Sequence, residues 1–324
     1  MSDLIQATIF QTVVILIAAV IAISCAALYF QRIRLERPPV GVFNVRDIVV
    51  VFVFIFTLPF LYLILPGVML TGMLIITFSS AMYIGLRPLI RPLYLLPLII
   101  ILLVTNIIVT ETLLGSRSGW QLYWVLTNII VLVTVVSVSN LYVQGGMRLQ
   151  HVAWFAFILA FYDGFFAFVF PILGKLADSV EGRPFDPSIG FAMGPYNANI
   201  GIGDLLVYTL FIVAAYKGFG KRGLIATFVI VPIFGALLPG TAPLVIAATI
   251  RSIGFAVPAQ VFFGPAALIT YFLLSRQAPE RKMAEWLSVQ AAAGHEPIRV
   301  MRRGRVAVPR TAPSMVEIGA EQAR

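Results

Sequence analysis

Long apolar runs alternate with short polar breaks along this chain. The runs fall at 7–30, 48–65, 67–86, 93–110, 120–142, 152–173, 199–216, 223–248 and 256–275. Each is close to the length a helix needs to cross a hydrocarbon layer ~30 Å thick at ~1.5 Å per residue. The pattern predicts an all-α polytopic membrane protein with about nine transmembrane helices in residues 1–275. Residues 276–324 are expected to form a basic cytoplasmic tail, disordered in part. Pro66-Gly67 marks a tight turn between the second and third runs. Pro232 and Pro239-Gly240 predict a kink or break in the eighth. Pro258, Gly264 and Pro265 make the ninth the least regular. No internal repeat is evident.

Composition agrees. Hydrophobic residues make up 60% of the 324, charged residues 11%, and mean hydropathy is +0.97. A soluble domain cannot hide that much apolar surface. The net charge of +9 raises nucleic acid as a partner. However, the cations sit between apolar runs and in the tail, where they act as topology signals and attract anionic lipid. With the N-terminus outside, 19 of the 23 Lys and Arg residues lie on the cytoplasmic side, which favours N-terminus out and C-terminus in. The loop at 174–198, with Lys175, Asp178, Glu181, Arg183 and Asp186, is then extracytoplasmic. In the tail, Met283, Trp286 and Leu287 share one helical face and predict a short interfacial helix. The single Cys25 excludes an intramolecular disulfide. No Asn-x-Ser/Thr acceptor occurs, which leans towards a prokaryotic plasma membrane.

Chemistry concentrates at two positions. Of 14 acidic residues, only Asp163 in the sixth run and Asp204 in the seventh sit well inside a span. A carboxylate at the bilayer centre costs about 2.5–3.5 kcal/mol on the insertion scale, so each calls for an explanation. They could line a polar crevice. Alternatively they could face each other and share one proton, because two carboxylates held close cannot both ionise. Ala156, Ala160 and Ala167 share the helical face of Asp163, and Gly201 and Gly203 precede Asp204. These small residues are expected to let the two helices approach closely. One carboxylate could then act as base on a water while the other protonates a carbonyl, which is aspartyl protease chemistry.

These residues resemble a known family. Tyr162-Asp163 on one helix and Gly201-Ile202-Gly203-Asp204 on the next are similar to the YD and GxGD motifs of presenilins and signal peptide peptidases. In the ninth run, Pro258-Ala259-Gln260 resembles the family's Pro-Ala-Leu motif, with Gln260 in place of leucine. Pro239-Gly240-Thr241-Ala242-Pro243-Leu244 is a rival one helix earlier. The resemblance implies a presenilin-like fold and an intramembrane aspartyl protease with Asp163 and Asp204 as catalytic dyad. Tyr162, Gly201, Gly203, Pro258, Ala259 and Gln260 would then be motif or substrate-binding positions. It implies no metal and no organic cofactor. The orientation resembles that of signal peptide peptidases, so the expected substrates are transmembrane helices whose N-terminus is cytoplasmic.

Other protease types lack their parts. There is no HExxH, and His151 and His295 lie at a span edge and in the tail, which excludes zinc and serine–histidine centres within the membrane. Two further readings remain open: a transporter or channel using the carboxylate pair for protons or cations, and an inactive relative that binds helices without cutting them.

Overall fold

On α1 (Ser2–Arg32) the large apolar residues point outward and the small ones inward. Ile9, Ile17 and Leu28 are each more than half exposed, whereas Ala19, Ala22 and Ala26 are wholly buried. A water-soluble helix shows the opposite arrangement. An outward apolar face is stable only against lipid, and an alanine face lets neighbouring backbones come close.

The computed structural model of the chain describes residues 2–35, 49–50, 53, 57, 60, 64–168, 182–194, 196–250 and 257–292. After α1 come α2 (Gly67–Leu86), α3 (Pro92–Thr112), α4 (Arg117–Gln144) and α5 (Leu149–Phe168). A hairpin of β1 (Ser188–Met193) and β2 (Tyr196–Gly201) leads directly into α6 (Ile202–Phe219). Next come α7 (Lys221–Ile230), a π-helical segment (Val231–Leu237), α8 (Leu238–Ile250), α9 (Ala259–Gln277) and α10 (Met283–Ala292).

Among the described residues seven helices are long and apolar enough to cross a membrane, with α7 to α8 counted as one. The protein is therefore a helical membrane protein. The expected second span, 48–65, lies largely outside the described residues. The expected ninth is α9, which is 19 residues long and is not among the seven.

Local chemistry sets the boundaries. Ser116 Oγ accepts from the Gly119 N–H at 3.0 Å and caps α4. Pro92 opens α3, where a missing N–H costs nothing. Gly220 separates α6 from α7 at φ +64°, a conformation that favours glycine. Pro232 does not break its helix as expected. The wider π turn absorbs the proline, and the backbone runs on into α8.

Three further expectations are corrected. The interruption expected at 174–198 is not simply a loop, because it contains the antiparallel β1–β2 hairpin, with Gly190 opposite Asn199 and Ser188 opposite Gly201. Lys175, Asp178 and Glu181 lie outside the described residues. Asn128 of α4 clamps the hairpin, donating to Gly190 O and accepting from Gly190 N, both at 2.9 Å. Buried Asp186 accepts from Tyr123 and Ser188, and Asn106 accepts from the N–H of Phe185 at 3.0 Å.

Second, the seventh span begins at Ile202 rather than 199 and runs to Phe219. Lys217, expected in a cytoplasmic loop, is instead buried at the end of α6 and donates to Met147 O. Third, α10 is not an interfacial helix lying on lipid by its apolar face. Trp286 is 1% exposed and packs on Phe30 and Tyr216, with the Arg34 guanidinium 4.2 Å from its ring centre. The tail from 293 onward, including Arg302, Arg303, Arg305 and Arg310, lies outside the described residues.

The bundle thus has two distinct ends. At one, Gln6 of α1 accepts from Tyr196 of the hairpin at 2.8 Å. At the other, Glu280 accepts from the N–H groups of Leu149 and Gln150 at 2.6 and 3.3 Å, capping α5, and Arg281 N donates to Gly218 O. α6 runs between these ends and is the most buried of the seven spans.

Candidate active site

Three chain segments converge at the hairpin end of α6. The first is α5, which carries Tyr162 and Asp163. The second is the β2–α6 junction. Gly201 is the last residue of β2 and the N-cap of α6, so Asp204 falls in the first helical turn. Asp204, expected well inside its span, therefore stands at the start of its helix. The third is the start of α9, where Pro258 (φ −59°, ψ 136°) stands as N-cap outside the helix and Ala259 and Gln260 begin it.

Asp163 and Asp204 lie close enough to act on each other electrostatically, and both are half-buried. Gln260, 2% exposed, donates from Nε2 to Asp204 Oδ1 at 2.9 Å. Its amide oxygen is buried and receives no hydrogen bond among the described residues. Of the two motif candidates, Pro258-Ala259-Gln260 is therefore the one that reaches the dyad, through Gln260 and Asp204. The rival at Pro239–Leu244 lies in α8 against α1, where a Cβ on Gly240 would come 2.5 Å from Thr12 Oγ1.

The small residues act differently from the expectation. Ala156 and Ala160 do face a close neighbour, but it is α9 rather than α6. A Cβ on Gly264 would stand 2.5 Å from Ala156 O and 2.8 Å from Ala160 Cβ. Val261 reaches the position beside Asp163, 3.7 Å from where a Cβ on Gly164 would be. A Cβ on Gly201 or Gly203 would meet nothing within 4 Å. Among the described residues these glycines face open space next to Asp204 in the chain and do not bring two helices together. Tyr162 is 8% exposed and packs on Phe166, ring centres 4.7 Å apart. It also lies within electrostatic reach of Asp163.

One residue of the site went unnoticed in the sequence. Tyr208 follows Asp204 by one helical turn, is fully buried, and interacts electrostatically with both aspartates. Its hydroxyl donates to Gly235 O at 2.9 Å, a carbonyl within the π segment. Its ring packs on Phe263 of α9, centres 4.7 Å apart. The i, i+4 spacing from Asp204 was the available signal.

The hairpin brings strand chemistry to the same place. Asn128 occupies the outward N–H and C=O of Gly190, so the Gly190–Asn199 pair is of the non-hydrogen-bonded kind. Pairing alternates along the ladder, and the Ile202 N–H bond to Pro187 O at 2.7 Å keeps that phase. The backbone groups of Asn199 and Gly201 consequently point away from β1, on the edge that ends three residues before Asp204. No family model matches this chain, and no curated protein matches it.

Proposed function

We propose that the protein is an intramembrane aspartyl protease of the presenilin and signal peptide peptidase type, with nine transmembrane helices and Asp163 and Asp204 as its dyad. The observation that carries this reading is the meeting of Asp163, Asp204 and the start of α9 at Pro258-Ala259-Gln260, from three different helices. A carboxylate pair with one shared proton has the parts for peptide hydrolysis. One carboxylate takes a proton from water, whose oxygen adds to the scissile carbonyl carbon. The other gives its proton to the carbonyl oxygen, forming a neutral gem-diol. The first then passes its proton to the amide nitrogen while a diol proton returns to the second. The C–N bond breaks, an acid and an amine leave, and the dyad is restored.

A transmembrane helix hides its backbone and must unwind to be cut. The outward edge of β2 supports the same reading, since an extended segment laid along Asn199 and Gly201 would run into the space beside Asp204. The distribution of cations supports an orientation with the hairpin end outside: Arg34, Arg148, Lys221, Arg222 and Arg281 all belong to the opposite end. The substrates are then helices with a cytoplasmic N-terminus. Purified protein incubated with such a helix, wild type against Asp204→Ala, tests the reading.

A further inference from the structure

The two aspartates occupy unlike surroundings. Asp204 stands in the first turn of α6, where unpaired backbone N–H groups and the helix dipole favour negative charge. Gln260 adds a side-chain N–H directed at Oδ1. An amide NH2 can only donate, so this bond is strongest when the oxygen it meets is ionised. Asp163 lies fourteen residues past the start of α5, away from the backbone N–H groups that favour negative charge at a helix N-terminus. Among the described residues the buried Gln260 oxygen has no partner, and the bond to Asp204 is the one that orients the amide.

We infer that Gln260 is a positioning residue that divides the labour of the dyad, holding Asp204 as the charged member that activates water and leaving the proton on Asp163, which protonates the scissile carbonyl. The assignment rests on the aspartyl protease reading for its catalytic meaning. It explains why a polar residue sits where the resembling motif has leucine. Among the described residues the titratable side chains facing the pair are Tyr162 from α5 and Tyr208 from α6. α9 contributes the Gln260 amide, and the π segment contributes a carbonyl that Tyr208 already occupies. The same end of the bundle carries Asp3 on α1 and Arg117 on α4, the latter in a cleft with Tyr196 and Asn197.

Two readouts test the inference. In an Asp163→Asn background, Asp204 titrates without its partner and can be followed by the carboxylic acid band of isotope-labelled aspartate in the infrared. Replacing Gln260 by Met keeps the length of the side chain and removes the amide; Gln260→Leu is the second variant should the first fail to fold. A charge-assisted bond of ordinary strength predicts an Asp204 midpoint higher by about one pH unit or more. With both aspartates present, the acid limb of the cleavage profile should move up by a similar amount while the alkaline limb stays in place. The sign follows from the base: without its donor, Asp204 holds its proton to higher pH. An unchanged midpoint overturns the inference. A shifted midpoint with an unshifted acid limb overturns the division of roles and leaves the protease reading intact. A shifted midpoint together with a wild-type protein that cuts nothing overturns the protease reading, and the catalytic role of Gln260 with it.

Discussion

Gly264 of α9 sits where an added methyl group would lie 2.5 Å from the carbonyl oxygen of Ala156 on α5. This contact brings the start of α9, and with it Gln260, up to the aspartates. The neighbouring atom is backbone and cannot swing aside. Gly264→Ala should therefore separate the two helices, at a cost of about 1–3 kcal/mol, and pull the Gln260 amide off Asp204. A lower melting temperature in detergent together with loss of cleavage is the expected result. Unchanged values of both would mean that α5 and α9 do not pack this way.

Gly203 supplies the opposite case. A Cβ there meets nothing, and alanine suits a helical first turn better than glycine. Gly203→Ala should leave the melting temperature unchanged or slightly raised. Because it intrudes on the space beside Asp204, it should slow cleavage by roughly tenfold or more through misplacement of the scissile bond. Equal rates for the two proteins would place the substrate elsewhere.

At the far end, Glu280 closes two orphan donors at the start of α5. Glu280→Ala should cost about 0.5–2 kcal/mol, as loss of a helix cap does, and Glu280→Gln less. Thermal melts of the two variants check this ordering. If Glu280→Ala melted with the wild type, the capping role would be refuted.

Much of this was legible in the sequence, for identifiable reasons. Spans are written in composition, so α2, at Gly67–Leu86, matches its apolar run from end to end. The carboxylates stood out because charge is rare in such runs. The hairpin was missed although Tyr196, Ala198 and Ile200 alternate with Asn197, Asn199 and Gly201, a two-residue period beside a glycine-proline turn. A short strand inside a polar interruption carries a weaker signal than a twenty-residue run. The partners of Ala156 and Ala160 could not be read, since a small face shows that a helix is approached closely without showing which helix approaches. Tyr208 was hidden for a related reason: its bond to Gly235 depends on a π turn that local propensity does not announce.

Orientation yields a prediction about substrates. Lys217 is buried, so topology reporters belong at Arg222 and Gly194, which are expected inside and outside respectively. The dyad, hairpin and Pro258 turn give the cleft one polarity. Matched substrates of opposite topology should therefore be cut unequally in the native membrane, with helices of cytoplasmic N-terminus preferred. Preference for the reverse topology would reject the directional claim and spare the dyad.

The central claim is that Asp163 and Asp204 together hydrolyse a peptide bond within a membrane helix. Purified protein in bilayers should be given a single-helix substrate in water labelled with heavy oxygen, and the products weighed. Wild-type protein should yield two fragments cut within the apolar stretch, with one heavy oxygen in the new carboxyl group. Asp163→Asn and Asp204→Asn should each lower the rate by about 10²-fold at least with the melting temperature preserved. Intact substrate with the wild type, or undiminished cutting by either variant, would contradict the account.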